Sequence, residues 1–321
     1  MSQHHRGPWA HPETGAPVRW PSGDGDGGDA LLWWEGLPLL VPGAEDFAAR
    51  HLGLGHGLAR VEWLPVDAPD PVTPHLSPRA RAPAGPLRAL AEGLRDPAEV
   101  CAAWGADFAP DGPLIDVGCG LGTLARRAAL DVAQGERSGP VLAFDRSPSM
   151  VKLARSSVQD GDQAAFAPAG RRRLAPWPEA LPPLPAGAVE WAVGDALRPP
   201  ITRGSAAWVH LGNLLDMVPE GMAALLEAVT PLLMPGGLLT LSTPFDEDAT
   251  PLWAAGPSAE AELSAAYEAL GLHLVAEEDP VYWLIREYDR GFRLLLCRCL
   301  ALRKPLARAP RARPVSGAPG R

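Results

Sequence analysis

The stretch Leu114-Ile115-Asp116-Val117-Gly118-Cys119-Gly120-Leu121-Gly122-Thr123 decides how this chain is read. Its apolar start reads as a short buried strand. An acidic residue sits near the strand's end, and glycines follow at alternate positions. Leu124 to Leu130 then reads as the start of a helix. A strand turning tightly into a helix brings bare backbone and a helix N-terminus to a ligand. Glycine serves where the backbone bends sharply or a ligand approaches closely. The spacing then separates ligand classes. The dinucleotide fingerprint is G-x-G-x-x-G, whereas this turn is G-x-G-x-G and Thr123 stands at the dinucleotide's third glycine position. Asp116 would repel a pyrophosphate. It suits a ligand with a positive amino group and no phosphate, which disfavours an NAD-dependent dehydrogenase.

Working outward, Val141-Leu142-Ala143-Phe144 reads as a second strand ending in Asp145, a carboxylate placed for a pair of ribose hydroxyls. Ser147 is an expected N-cap and Pro148 an expected first helical residue of the helix that follows. A third strand, Val189 to Val193, leads into Gly194-Asp195-Ala196. Asp195 there reads either as a partner for an adenine amino group or as a turn aspartate. Ala206 to Leu211 reads as the fourth strand, delivering Gly212-Asn213-Leu214-Leu215-Asp216 to the same end of the sheet. Ligands of open α/β sheets sit beyond the carboxyl ends of the strands. Asn213 can bond a substrate without carrying charge. Asp216 can accept a proton or pair with a cationic amine; both residues alternatively read as caps of the next helix. His210, closing the fourth strand, reads as a base or as a structural hydrogen-bonding group.

Four segments, LIDVGCGLGTLA at 114–125, LAFDRSPSMVKLAR at 142–155, VGDAL at 193–197 and LLMPGGLLTLSTP at 232–244, resemble the class I S-adenosylmethionine-dependent methyltransferases. The resemblance spans residues 86–304. It implies an α/β, Rossmann-like seven-stranded sheet with its last strand antiparallel and helices on both faces. It implies S-adenosyl-L-methionine as cofactor, with contacts at Asp116, Gly118, Gly120, Gly122, Asp145 and Asp195. Met150 is implied to pack near the adenine, and Cys119, Thr123, Arg146 and Ala196 to lie beside these contacts. A narrower similarity joins NLLD at 213–216 and STPFDEDATPLW at 242–253 to methyltransferases that modify imidazole nitrogen, of the ovothiol-synthesis and protein-histidine types. Pro244, Phe245 and Trp253 match that pattern; Met217 stands where an arginine often follows the aspartate. This implies an N-methyltransferase acting on a small molecule or peptide. Nitrogen is also favoured chemically, because a neutral imidazole or amine needs little base help whereas a hydroxyl needs a good base. An O- or C-methyltransferase and a non-catalytic nucleotide-binding regulatory protein are the alternatives; the intact acidic strand ends speak against the latter.

A helix from about Ser258 to Leu270 is expected to end at Gly271, followed by a strand from Leu272 to Val275. Val281 to Arg290 and Phe292 to Arg303 then form a closing hairpin. Tyr282, Trp283, Arg286 and Tyr288 are candidates to line the acceptor pocket, since aromatics hold cationic or planar groups; an ordinary half-buried hairpin is the competing reading.

The chain has 321 residues, 46% hydrophobic and 21% charged, which suffices for one large domain with additions. A net charge of -9 disfavours a general nucleic-acid binder. No apolar run reaches the roughly 20 residues of a membrane span, and the first residues lack a signal-peptide pattern, so a cytoplasmic protein is expected. Oligomeric state is not legible. Of the four cysteines, Cys297 and Cys299 alternate on one strand face, and no Cys/His set suggests zinc or any other metal; all four read as buried small hydrophobes. Residues 1–30 are expected to be disordered, including an Asp/Gly run that mimics a calcium loop without its closing glutamate. Residues 31–66 are expected to form a small N-terminal module of two short strands around Glu35-Gly36, a helix from Ala44 to Gly53 and a strand from Val61 to Val66. Its WWEGLPLLVPG segment faintly resembles the end of small zinc-ribbon-like modules, without their cysteines. Residues 67–85 read as a Pro-rich linker. Pro168 to Pro185, with Arg171-Arg172-Arg173, reads as a solvated insertion, and 305–321 as a basic disordered tail.

Overall fold

A computed structural model describes residues 7–18, 32–34, 37–51, 94–159, 166–170, 173–176, 184–185, 187–245, 258–288 and 291–306. The strands are β1 (Trp33–Trp34), β2 (Leu37–Leu40), β3 (Leu114–Val117), β4 (Val141–Asp145), β5 (Phe166–Gly170), β6 (Arg173–Pro176), β7 (Glu190–Gly194), β8 (Ala206–Gly212), β9 (Leu233–Thr243), β10 (His273–Tyr288) and β11 (Gly291–Arg303). The helices are α1 (Ala44–His51), α2 (Pro97–Phe108), α3 (Thr123–Ala133), α4 (Pro148–Gln159), α5 (Met222–Val229) and α6 (Ala259–Ala269).

Seven strands form the expected core in the order β7-β4-β3-β8-β9-β11-β10. β7, β4, β3, β8 and β9 are parallel to their neighbours. β11, the last strand of the chain, runs antiparallel to both β9 and β10. Two strands more than expected complete the sheet. β2 adds in parallel to the free edge of β7, through Leu39↔Val193 and Leu40↔Gly194, and β1 pairs antiparallel with β2. The strands of the expected N-terminal module therefore extend the main sheet, because an exposed edge of β7 is a template for one more strand.

Strand alternation sorts the core into two layers. Leu114, Ala143, Val193, Trp208 and Leu238 pack with residues of α1, α2, α3 and α4 on one face. Ile115, Val117, Phe144, Val209, Leu211, Leu239 and Leu241 pack with α5 and α6 on the other. Parallel strands covered on both faces read as near-continuous apolar runs, which is why β3 and β8 were legible.

The structure departs from the sequence reading in three places. Residues 7–18, read as part of a disordered tail, are packed. Trp9 is 2% exposed, its indole N–H donates to Glu190 Oε2 at 2.7 Å, and Gly7 N donates to Glu190 Oε1 at 2.8 Å. Thr202 N donates to Pro8 O and Ala10 N to Pro200 O, stitching the segment to the loop after β7. Second, β5 and β6, which fall at the start of the expected insertion, pair antiparallel. Third, β10 is one 16-residue strand rather than two pieces, with irregular pairing at Glu278/Val281. The expected strand at Val61–Val66, the 67–85 linker, the Asp/Gly run and the C-terminal tail after Leu306 lie outside the described residues.

α2 begins with a capping box: Asp96 accepts from Ala98 N at 2.8 Å, and Glu99 accepts from Asp96 N. In its middle, Gly105 lies against the Trp208 ring, so close that a Cβ would stand 2.1 Å from it. Gly→Ala within a helix ordinarily adds about 1 kcal/mol of stability. Here overpacking wins, and Gly105→Ala is expected to cost about 1–3 kcal/mol, read as a lowered urea midpoint with unchanged m-value.

Candidate active site

The turn after β3 needs its glycines. Gly118, Gly120 and Gly122 adopt φ of 65°, 52° and 69°, the left-handed region that other residues enter at a cost. Gly122 also lies under Trp191, whose ring would stand 2.4 Å from an added Cβ. Two carboxylates brace this turn. Asp116 Oδ2 accepts from Ala125 N in the first turns of α3 at 3.1 Å. Asp145 Oδ2 accepts from Gly120 N at 3.0 Å, and its Oδ1 from Ser147 N at 2.8 Å, joining the turn to the start of α4. Ser147 accepts from Met150 N at 3.4 Å, as its N-cap reading required. Asp195 accepts from Leu197 N at 2.9 Å, so part of its role is that of a turn aspartate.

Burial raises the pKa of Asp116 above the ordinary carboxylate range, opposed by the nearby His210 and the Ala125 N–H. Burial likewise raises Asp145, opposed by the Ser147 and Gly120 N–H groups. Burial pushes the Cys119 thiol well up, with the Asp116 charge adding to it; this cysteine is not a thiolate nucleophile.

β3, β8 and β9 are in register so that Asp116, His210 and Thr240 are lateral neighbours. Beyond them opens a cleft. Of the residues expected to act, the structure brings Asp116, Gly118, Cys119, Thr123, His210, Asn213 and Trp283 onto its wall. Gly212, delivered with Asn213, is on it too, and sequence reasoning missed Asp96, Pro97, Ala98 and Ser242, which share that wall. The signal for the first three was present: Asp96-Pro97-Ala98-Glu99 is a capping-box pattern, and it sets a helix start against the cleft. Gly120, Gly122, Asp145, Arg146, Met150, Asp195 and Ala196 are not on this wall; they belong to the turn and to the segments leaving the carboxyl ends of β4 and β7.

Asn213 closes β8 with φ 50°, a conformation asparagine tolerates better than most residues. Its N–H donates to Ser242 O at 2.9 Å, and the Ser242 hydroxyl donates to its Oδ1 at 2.8 Å. Neither Asn213 nor Asp216 caps the next helix, because Asp216 lies inside a single 3₁₀ turn, Leu215–Met217, and α5 starts after Gly221. Asp216 is not on the cleft wall, although its charge reaches Cys297, whose thiol burial raises above its ordinary range. Met217, in place of the expected arginine, is 72% exposed. Tyr282 is also misplaced by the sequence reading. It pairs with Leu296 on the exposed face of the hairpin, while alternation sends its neighbour Trp283 to the cleft. The side chains of Arg286 and Tyr288 lie outside the described residues.

A family model described as a methyltransferase domain matches residues 88–281. The chain belongs to that family. It is a class I S-adenosylmethionine-dependent methyltransferase, an enzyme using S-adenosylmethionine. Similar solved structures include a SAM-dependent methyltransferase from Aquifex aeolicus, at 16% identity and TM-score 0.42 over 65% of this chain and 90% of that one. The [4+2]-cyclase SpnF is similar at 18% identity and TM-score 0.47, over 74% and 93%. The Burkholderia thailandensis 1,6-didemethyltoxoflavin-N1-methyltransferase is similar at 18% identity and TM-score 0.38, over 65% and 78%. No curated protein matches the sequence. No helix among the described residues is long and apolar enough to cross a membrane.

The cleft's chemistry fits the methyltransferase cofactor. Among the described residues its wall carries the carboxylates of Asp96 and Asp116 and no lysine or arginine, which suits a cationic ligand without phosphates. Because burial raises the folded-state pKa of Asp116, its ionised form opposes folding above its unfolded pKa, and protonation or neutralisation relieves the penalty. Asp116→Asn keeps an acceptor for Ala125 N. It is expected to raise the melting temperature of the ligand-free protein at pH 7 by about 2–4 °C and to weaken S-adenosylmethionine binding about tenfold or more, measured by calorimetry.

Proposed function

We propose that this methyltransferase transfers its methyl group to a nitrogen, imidazole or amine, of a small molecule or peptide. The observation that carries the reading is Asn213. It is uncharged, held in a left-handed conformation at the end of β8, and fixed through Ser242 on the cleft wall beside Trp283. A neutral nitrogen nucleophile asks for orientation and exclusion of water, and a rigid amide supplies orientation without charge. Trp283 offers an aromatic face to a planar or cationic acceptor. Asp216, three residues further on and off the cleft wall, carries a carboxylate that can pair with an amine or take its proton. Among the described residues the titratable groups on the wall are Asp96, Asp116, Cys119 and His210, with Cys119 held as a thiol.

The residues that would hold the cofactor follow from the same frame. Asp116 takes the amino-acid end with Gly118, Gly120 and Gly122, Asp145 the ribose, and Asp195 the adenine, with Cys119, Thr123, Arg146, Met150 and Ala196 around them. The cofactor supplies a methyl group already activated on a sulfonium. The chain's part is to aim the acceptor along the methyl–sulfur axis and keep strong negative charge off that line.

S-adenosylmethionine or its demethylated product is expected to raise the melting temperature, with NAD giving no shift. Labelled-methyl transfer onto histidine derivatives, other amines, phenols and lysate peptides then reads the acceptor. Label confined to oxygen would sink the nitrogen assignment. Asn213→Ala is expected to lower turnover about a hundredfold through lost orientation while leaving cofactor affinity nearly unchanged.

A further inference from the structure

Three residues of the parallel sheet, Trp208, His210 and Thr240, form a chain of buried hydrogen bonds. The indole N–H of Trp208 can only donate, and it donates to Thr240 Oγ1 at 2.8 Å. The same oxygen lies 3.0 Å from His210 Nδ1. Thr240 is fully buried, and among the described residues its hydroxyl has these two side-chain partners. A buried hydroxyl gives its proton to an acceptor. Trp208 offers none, so the Thr240 proton goes to His210 Nδ1. His210 then carries its single ring proton on Nε2.

That edge of the ring opens to the cleft. A Cβ on residue 212 would stand 2.8 Å from Nε2, so glycine at 212 keeps it clear. His210 is 3% exposed and lines the cleft. Asp116 is its lateral neighbour on β3. Burial keeps the imidazole neutral, against the pull of Asp116, the Thr240 backbone and Asp96. The deep end of the cleft thus holds a carboxylate beside a neutral N–H donor. An α-amino acid presents the complement, an ammonium and a carboxylate on one carbon.

We propose that His210 is a cofactor-positioning donor rather than a base: its Nε2–H, fixed by the Trp208–Thr240 chain, bonds the carboxylate of the cofactor's amino-acid end while Asp116 faces the ammonium. The assignment rests on the reading of Asp116 given above. It makes Thr240 and Trp208 positioning residues for a group they do not share with the ligand, and it explains a polar pair inside an otherwise apolar stretch of β8 and β9.

Two measurements test it. Long-range ¹⁵N–¹H correlation of the imidazole reads the tautomer in unmodified protein. A protonated Nε2 with an unprotonated Nδ1 is expected, lost in Thr240→Val and kept in Thr240→Ser; a protonated Nδ1 would overturn the proposal. Calorimetry compares S-adenosylhomocysteine with 5′-methylthioadenosine, which lacks the amino-acid end. His210→Leu is expected to weaken S-adenosylhomocysteine about tenfold or more, the worth of a hydrogen bond to a charged group, and to leave methylthioadenosine unchanged. His210→Gln, whose amide reaches the place of Nε2, is expected to restore most of the loss. Equal losses for both nucleosides, or none for either, would reject His210 as the carboxylate's partner while the cofactor reading stands. Folded wild-type protein binding neither nucleoside would reject the cofactor reading and this assignment together.

Discussion

The register of β3, β8 and β9 is the constraint on which the site depends. It aligns Asp116, His210 and Thr240 in one row across a sheet whose other residues at that depth are apolar. Polar groups in such a place are costly unless bonded, and these are bonded: Asp116 to the α3 backbone, His210 to Thr240, Thr240 to Trp208. A slip of one residue in any of the three strands would send its polar member to the opposite face, against α5 and α6, and bring an isoleucine, leucine or valine to the cleft. The apolar packing on both faces therefore does more than stabilise. By making any other register expensive, it holds a polar row still.

Helix α2 closes this arrangement from above. Its approach is set by Gly105, which lets the backbone rest on the Trp208 ring, and by Arg137, whose guanidinium lies 5.0 Å from the centre of the same ring. The capping box then fixes where the helix starts and hence where Asp96 stands on the cleft wall. One tryptophan thus serves two layers, as the floor for a helix and as the donor at the head of the His210 chain. The Asp96 end of α2 is tied further by the Arg95–Glu278 ion pair to β10; exposed pairs of this kind contribute little stability, but this one spans two elements that meet at the cleft.

The central sheet was legible because buried parallel strands leave an unbroken apolar signature, and the turn because three glycines at alternate positions have few other uses. Asp116 and Asp145 were legible from their place at strand ends. What stayed hidden depended on partners distant in sequence. The alternation of β10 shows that Tyr282 and Trp283 face opposite ways, but not which of them meets the cleft; that was decided by the pairing of β10 with β11. Asn213 was singled out by position, whereas its lock depends on Ser242, 29 residues later. The packing of residues 7–18 was invisible because a polar, Gly- and Pro-rich composition disguises a single tryptophan whose partner, Glu190, is 181 residues away.

That last pairing bears on how the protein assembles. The segment around Trp9 is made well before β7, which carries the carboxylate it needs, and β2 likewise waits for Val193 and Gly194. Contacts of such sequence separation are slow to form, since a long loop must close before they contribute. Trp9 and the β2 leucines remain uncovered until β7 has been made, which leaves a chaperone a long window to bind them.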